Sequence, residues 1–314
     1  MLNFPRTGAT GHSVGLLASP PSSAPAGVER GAFALLVLGA LALGFAPIFV
    51  RLSDVGPSAT AFWRITLALP VFALAGGGTA GRPAGRRDGL GLVLAGVCFA
   101  GDLATWHWSI GLTSVANSTL LANMAPLFVT VIAWSALGER VSRGFVAALV
   151  VALAGVGLLM GGDLVLGARA LAGDALALVT ALFLSGYLLA VKRLRARLST
   201  AAIMSWGGAV TALTLLVVTL VSGEALIAPG WHGWAVLLGL ALISQAGGQG
   251  SIAYALAHLP AAFSSLVLLI EPVAAALFAW VLLAEPMDTT QLVGGAVVLA
   301  GIALARRASV VTGG

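Results

Sequence analysis

The amino-acid sequence predicts an all-α integral membrane protein: ten transmembrane helices arranged as two inverted five-helix repeats, with both termini cytoplasmic. Three observations carry this expectation. The 314 residues are 59% hydrophobic and 9% charged, with a mean hydropathy of +1.04, whereas soluble domains carry about 25% charged residues. The apolar residues fall into ten runs of about the 20 residues that a helix needs to cross the hydrocarbon. The basic residues gather on alternate connections, as the cytoplasmic bias of Lys and Arg requires.

Residues 1–28 hold Arg6, His12 and the run SPPSSAPAG, with no apolar segment leading to a small-residue cleavage site. They read as a disordered cytoplasmic tail rather than a signal peptide. Apolar runs follow at 31–50 and 57–76, the second opening on Pro57 and holding Arg64. The third, 89–111, closes on GDLATWHWSIG and so carries Asp102, Trp106, His107 and Trp108. Runs four and five, 114–137 and 143–161, are separated by GERVS. The sixth, 170–191, ends against KRLRAR at 192–197, the strongest basic cluster, with GRPAGRR at 81–87 as its companion after the second run. The remaining runs lie at 199–221, 231–256, 260–284 and 288–305, and residues 308–314 form a short tail. A cytoplasmic N-terminus puts thirteen basic residues inside, leaves Arg51 and Arg169 outside, and buries the sixteenth, Arg64, within a span. That asymmetry sets the orientation. The net charge of +5 is thus a matter of topology, and nucleic acid is set aside as a partner.

Shifting residues 94–155 by 146 positions, without gaps, matches sixteen of 62 residues, where this composition alone gives roughly a tenth. The informative matches are Pro126 with Pro272, Trp134 with Trp280, Glu139 with Glu285, Ser118 with Ser264, and Ala154-Gly155 with Ala300-Gly301. The chain therefore divides into repeats over 29–161 and 168–307. Five spans is an odd number, so the halves must be inverted, with Glu139 and Glu285 at opposite membrane faces. Inverted repeats are the architecture of alternating-access carriers, with substrate near the midplane at the repeat interface.

PSATAFWRITLALP at 57–70, ANSTLLANMAPLFVTVIAWSALGERVS at 116–142 and SSLVLLIEPVAAALFAWVLLAEP at 264–286 resemble the drug/metabolite transporter superfamily, specifically its EamA-type family. The resemblance covers nearly everything after residue 30. It rests on the Pro-containing fourth and ninth helices that each end in Glu, and on the helix of Arg64. It implies two inverted five-helix repeats around a central cavity, to which helices 3, 4, 8 and 9 contribute, and export of amino acids, other metabolites or toxic organic compounds. The second motif reads AEP where the first reads GER, a departure at the end of helix 9.

Charged side chains at mid-bilayer cost about 2.5–3.5 kcal/mol on insertion scales, so they face a bundle interior or a cavity. Three qualify: Arg64, Asp102 and Glu271. Arg64 and Asp102 lie about 10 and 14 Å deep at 1.5 Å per residue, close enough in depth to pair. They either lock helix 2 to helix 3 or bind a substrate's carboxylate or ammonium. Asp102 corresponds to Gly248 in the second repeat and so breaks the symmetry. Glu271, beside the helix-perturbing Pro272, is the candidate for carrying protons; the alternative is a protonated structural acid. Gln245 and Gln249, four apart, share a helical face and are read as cavity-lining, as is Asn123. Trp106, on the face of Asp102, together with Tyr187 and Trp206, supplies apolar walls against which a side chain or an amine could rest. His107 reads as a hydrogen-bonded packing residue, and Trp63, Trp231 and Trp234 as interfacial aromatics.

One cysteine, Cys98, allows no internal disulfide and too few ligands for a zinc or iron–sulfur site. Neither cofactor nor metal is expected. No P-loop, HExxH or GxSxG is present, which argues against ATP hydrolysis and against an intramembrane hydrolase; Asp163 and Asp174 fall at segment ends. The reading is a secondary exporter of amino acids or related small metabolites and organic compounds, as a monomer or weak homodimer, with the coupling ion left open and Glu271 the candidate if it is the proton. An uptake carrier or facilitator is the alternative, and an intramembrane enzyme or a scaffold ranks lower.

Overall fold

The computed structural model describes residues 26–76, 83, 85–113, 115–161 and 168–311. Ten helices long and apolar enough to cross a membrane follow one another: α1 (Gly27–Arg51), α2 (Pro57–Ala75), α3 (Arg86–Ser109), α4 (Asn117–Leu137), α5 (Arg143–Met160), α6 (Ala168–Leu194), α7 (Thr200–Ser222), α8 (Trp231–Ala255), α9 (Ala261–Leu283) and α10 (Thr289–Ala308). Among the described residues there is no strand. The tail expected over 1–28 lies outside the described residues except for its last three, which already belong to the first helix, and Asp163 lies outside them too. At the other end helical structure continues to Val311, past the expected boundary at 307.

Local chemistry sets the helix ends. Pro57 opens α2, where its missing N–H costs nothing. Ser142 and Ser199 cap α5 and α7 by accepting from the N–H groups of Phe145 and Ala202, each at 3.1 Å. The ends of α4 and α9 share a left-handed cap, at Gly138 (φ 68°) and Ala284 (φ 53°). In both, the following glutamate's N–H turns back to a helix carbonyl: Glu139 to Ala133 at 3.1 Å and Glu285 to Ala279 at 3.3 Å. The departure from GER to AEP therefore leaves the end of α9 shaped like that of α4.

Proline interrupts three of the helices from within. The helix of α1 breaks after Leu43, that of α4 after Ala122 and that of α9 after Val267. Pro47, Pro126 and Pro272 follow these breaks, because each ring displaces the carbonyl four residues earlier and cannot donate to it; the Leu268 carbonyl accepts from the Glu271 N–H at 2.9 Å instead. Two further helices widen instead, with π-helical stretches at Ile203–Gly207 in α7 and Leu240–Gln249 in α8.

The packing between helices is reciprocal between the two halves. α3 lies on α6 as α8 lies on α1, α7 on α3 as α2 on α8, and α4 on α6 as α9 on α1, while α2 pairs with α7, α4 with α9 and α5 with α10. Small residues permit the closest of these. A side chain at Gly155 would meet the backbone of α10 at Val298, and one at Gly301, its partner in the sequence repeat, would meet α5 at Ala152. Gly248 and Gly39 bring α8 and α1 together in the same way, each facing the other's carbonyl. A side chain at 248, where the repeat would place a mate for Asp102, would press on the Gly39 carbonyl at 3.1 Å and on the Leu43 side chain at 3.2 Å.

Leu, Val and Trp side chains cover the outside of the bundle, Leu74 being 80% and Val221 84% exposed, as expected of a surface solvated by lipid rather than water. The first and last helices end at one face of the bundle, where the Arg306 guanidinium sits 4.1 Å above the Phe33 ring. We call this the terminal face.

Candidate functional site

A cavity of about 550 Å³ enters the bundle from the face opposite the termini. Its rim includes Val50, Met160, Glu285 and Gln291, at or near helix ends, and its floor is made of the buried Leu188, Gln249 and Ser265. Beneath that floor Leu256, Leu259, Ala261 and Ala262, at the terminal face, are buried. A volume of this size suits a small organic molecule.

Below the rim, where Glu285 stands, three lining residues are charged: Arg64 from α2, Asp102 from α3 and Glu271 from α9. Arg64 is 8% exposed and is held from behind, its Nε donating to Gln245 Oε1 at 3.0 Å. Its guanidinium carbon also lies 5.9 Å from the centre of the Phe99 ring, an approach compatible with cation–π attraction. Phe99 is in turn stacked on Tyr187, with ring centres 4.6 Å apart. The expected pairing of Arg64 with Asp102 is not made: among the described residues no ion pair joins them. Gln245 occupies the Arg64 Nε instead, and Asp102 presents its carboxyl to the cavity. Glu271 stands one residue before Pro272, in the first turn after the break in α9.

The uncharged candidates divide between lining and support. Asn123 and Gln249 line the cavity, as does Trp106; Asn123 donates from its side-chain amide to the Thr119 carbonyl at 2.8 Å. Gln245 does not share that surface with Gln249. The wider turn of the π-helical stretch carries both, and Gln245, 2% exposed, is the support of Arg64. Tyr187 is buried behind Phe99 with its hydroxyl 3.8 Å from Met204 Sδ. It backs the wall without forming it. Trp206 departs furthest from expectation: it is 46% exposed on the outside of the bundle, because its stretch of α7 turns the indole away from the centre.

Among the repeat-motif residues, Pro126 and Pro272 line the cavity at the breaks in α4 and α9. Glu285 reaches the rim, where it pairs with Arg51. Glu139 is at the other face and receives two hydrogen bonds, from the N–H of Ala261 at 2.7 Å and from that of Ala262 at 3.1 Å. Sequence reasoning missed Phe99 and misjudged His107. Phe99 precedes Asp102 by three residues, a spacing that places it on the same helical face and could have revealed it. His107 lines the cavity beside Trp106, ring centres 5.2 Å apart, and its Nδ1 has no hydrogen-bond partner. Nothing in its neighbours signalled that.

The arrangement can hold one carboxylate on Arg64 and one cation between Asp102 and Glu271, against aromatic walls. A family model described as the EamA-like transporter family matches this chain twice, over residues 30–161 and 171–307. The chain belongs to the EamA-like transporter family. It is thus an integral multi-pass membrane protein of the drug/metabolite transporter type, a transporter rather than an enzyme. This EamA-like transporter is 31% identical to a probable terminal-alkyne amino-acid exporter of Streptantibioticus cattleyicolor, over 85% of this chain and 89% of that one. It is 28% identical to the pseudopaline exporter of Pseudomonas aeruginosa, over 68% and 74%, and 28% identical to an uncharacterized transporter of Archaeoglobus fulgidus, over 87% and 96%. Its fold matches a crystal structure with a TM-score of 0.76 at 19% identity, covering 88% of this chain and 97% of the other.

Proposed function

We propose that this transporter exports amino acids or closely related zwitterionic metabolites by alternating access, with its terminal face in the cytoplasm. The observation that carries the proposal is the charged trio. Below the rim, where Glu285 is already paired with Arg51, one cation and two carboxyl groups face a single cavity of about 550 Å³, and a substrate bearing both an ammonium and a carboxylate answers all three. Arg64 is pre-set by Gln245 to receive the carboxylate, and the ammonium rests between Asp102 and Glu271. The two acids exceed the single guanidinium by one, so Glu271 serves as the group that carries a proton when the cavity is empty. Support for export comes from the relatives named as exporters, and support for alternating access from the reciprocal packing of the two halves.

The test is counterflow in liposomes loaded with single amino acids, amines or carboxylic acids. Zwitterions are expected to exchange, and compounds lacking either charge to exchange at least tenfold more slowly. Asp102→Asn is expected to reduce zwitterion exchange by an order of magnitude or more, since a buried charged hydrogen bond contributes about 1.5–3 kcal/mol. Glu271→Gln is expected to abolish the response to an imposed proton gradient while leaving exchange measurable. If no zwitterion moved, or if both variants matched the unmodified protein, the proposal would be wrong.

A further inference from the structure

We infer that Glu139 and Lys192 form the gate that closes the terminal face, and that Glu285 and Arg51 are the same gate at the opposite face, held open. The inference rests on the alternating-access reading and adds the parts that do the switching. At the terminal face, two charged side chains grip one short segment, the connection from α8 to α9. Glu139, at the end of α4, accepts from the N–H groups of Ala261 and Ala262. These are the first donors of α9, because Pro260 before them has none. Lys192, at the end of α6, donates from Nζ to the Leu259 carbonyl at 2.6 Å. Acid and base thus hold adjacent groups of opposite polarity on one strand of backbone. The grip ties α4 of the first half and α6 of the second to the connection between α8 and α9.

The repeat places the same acid at the other face, with a base beside it that the 146-residue shift pairs with Arg197 rather than with Lys192. Glu285 stands 146 positions after Glu139, behind the same left-handed cap, and its basic neighbour Arg51 ends α1 as Lys192 approaches the end of α6. Here, however, the acid grips no helix start. It pairs with Arg51, the two side chains being 41% and 64% exposed, and it lies where the cavity opens. An ion pair this exposed contributes little and is readily exchanged. The helix start that corresponds to Ala261 lies 146 positions earlier, where a helical turn opens at Val115 in front of α4. When the opposite face closes, Glu285 leaves Arg51 for the first N–H groups of that turn, while Glu139 releases α9. The structure is the state with one clasp made and the other undone.

Paired spin labels in liposomes test this in a Cys98→Ala background. One pair, Leu112→Cys with Met287→Cys, spans the opposite face; the other, Val141→Cys with His258→Cys, spans the terminal face. The unmodified gate is expected to give two distance populations per pair, one wide where the other is narrow. Glu139→Gln and Lys192→Gln are each expected to lower the share of the state seen here, by about tenfold in the ratio of the two states, as losing a charged cap does. Arg51→Gln should lower it too, whereas Glu285→Gln should raise it. That opposition of sign separates a gate from a mere ion pair, for which both variants would move the ratio the same way. A single population in the unmodified protein would overturn alternating access and the gate together. Two populations that the Glu139 and Lys192 variants leave in place, or Glu285 and Arg51 variants acting alike, would overturn the gate alone.

Discussion

Arg64 is the residue on which the site is built, and its orientation depends on a neighbour that never touches the cavity. A guanidinium at this depth must keep its donors satisfied, and the Gln245 amide takes the Nε–H at 3.0 Å, leaving the terminal nitrogens turned to the cavity side. Replacing Gln245 with Leu keeps the volume and removes the acceptor. Hydrogen bonds to charged groups contribute about 1.5–3 kcal/mol, so Gln245→Leu is expected to raise the counterflow KM of carboxylate-bearing substrates by about tenfold or more, with little change for amines that lack a carboxylate. An unchanged KM would mean that Arg64 orients itself. The charged members of the site are legible in the sequence because an Arg, an Asp and a Glu in apolar runs have few places to go. The positions of Trp206 and Tyr187 are not, since an aromatic ring is equally at home against lipid, behind a wall or in one. Residue spacing puts Gln245 on the cavity wall, whereas it stands behind Arg64. Its hydrogen bond to Arg64 is a tertiary contact that residue spacing alone does not reveal.

At the scale of the helix, the ends of α4 and α9 show how sequence repeats become geometry. Both use a left-handed residue to stop the helix, but one is Gly138 and the other Ala284. A Cβ in that conformation costs of order 1 kcal/mol, which glycine avoids. Ala284→Gly is therefore expected to raise stability by about 0.5–1 kcal/mol, and Gly138→Ala to lower it by a similar amount, both read as shifts of the thermal unfolding midpoint in detergent. Shifts of the same sign would mean that the two caps are not equivalent. The ten spans and the proline breaks are readable from the sequence because apolar length and proline chemistry are local properties. The Gly39–Gly248 crossing is not, because small residues at such spacing also occur where helices merely face lipid, and only the tertiary contact tells the two apart.

For the whole molecule, the distribution of charge and the direction of the cavity have to agree. The described basic residues at the terminal face include Arg30, Arg86, Arg87, Arg140, Arg143, Lys192, Arg193, Arg195, Arg197, Arg306 and Arg307, against Arg51 and Arg169 at the opposite face. Two of the first group also tie the connections together, Arg197 pairing with Asp88 at 3.3 Å and Arg193 reaching the Ala136 carbonyl at 3.4 Å. On the proposed orientation, with Lys and Arg retained on the cytoplasmic side, the cavity mouth faces outward. Every second connection then lies outside, including the stretch from Gly223 to Gly230 between α7 and α8, where Glu224 accepts from the Ala59 N–H at 2.9 Å and Leu226 from Trp63 Nε1. Alkaline phosphatase, active only outside the cytoplasm, is expected to be inactive when fused after Arg197 or Gly314 and active when fused after Glu224. The reverse pattern would place the open mouth in the cytoplasm and turn the structure from the substrate-releasing state of an exporter into its loading state.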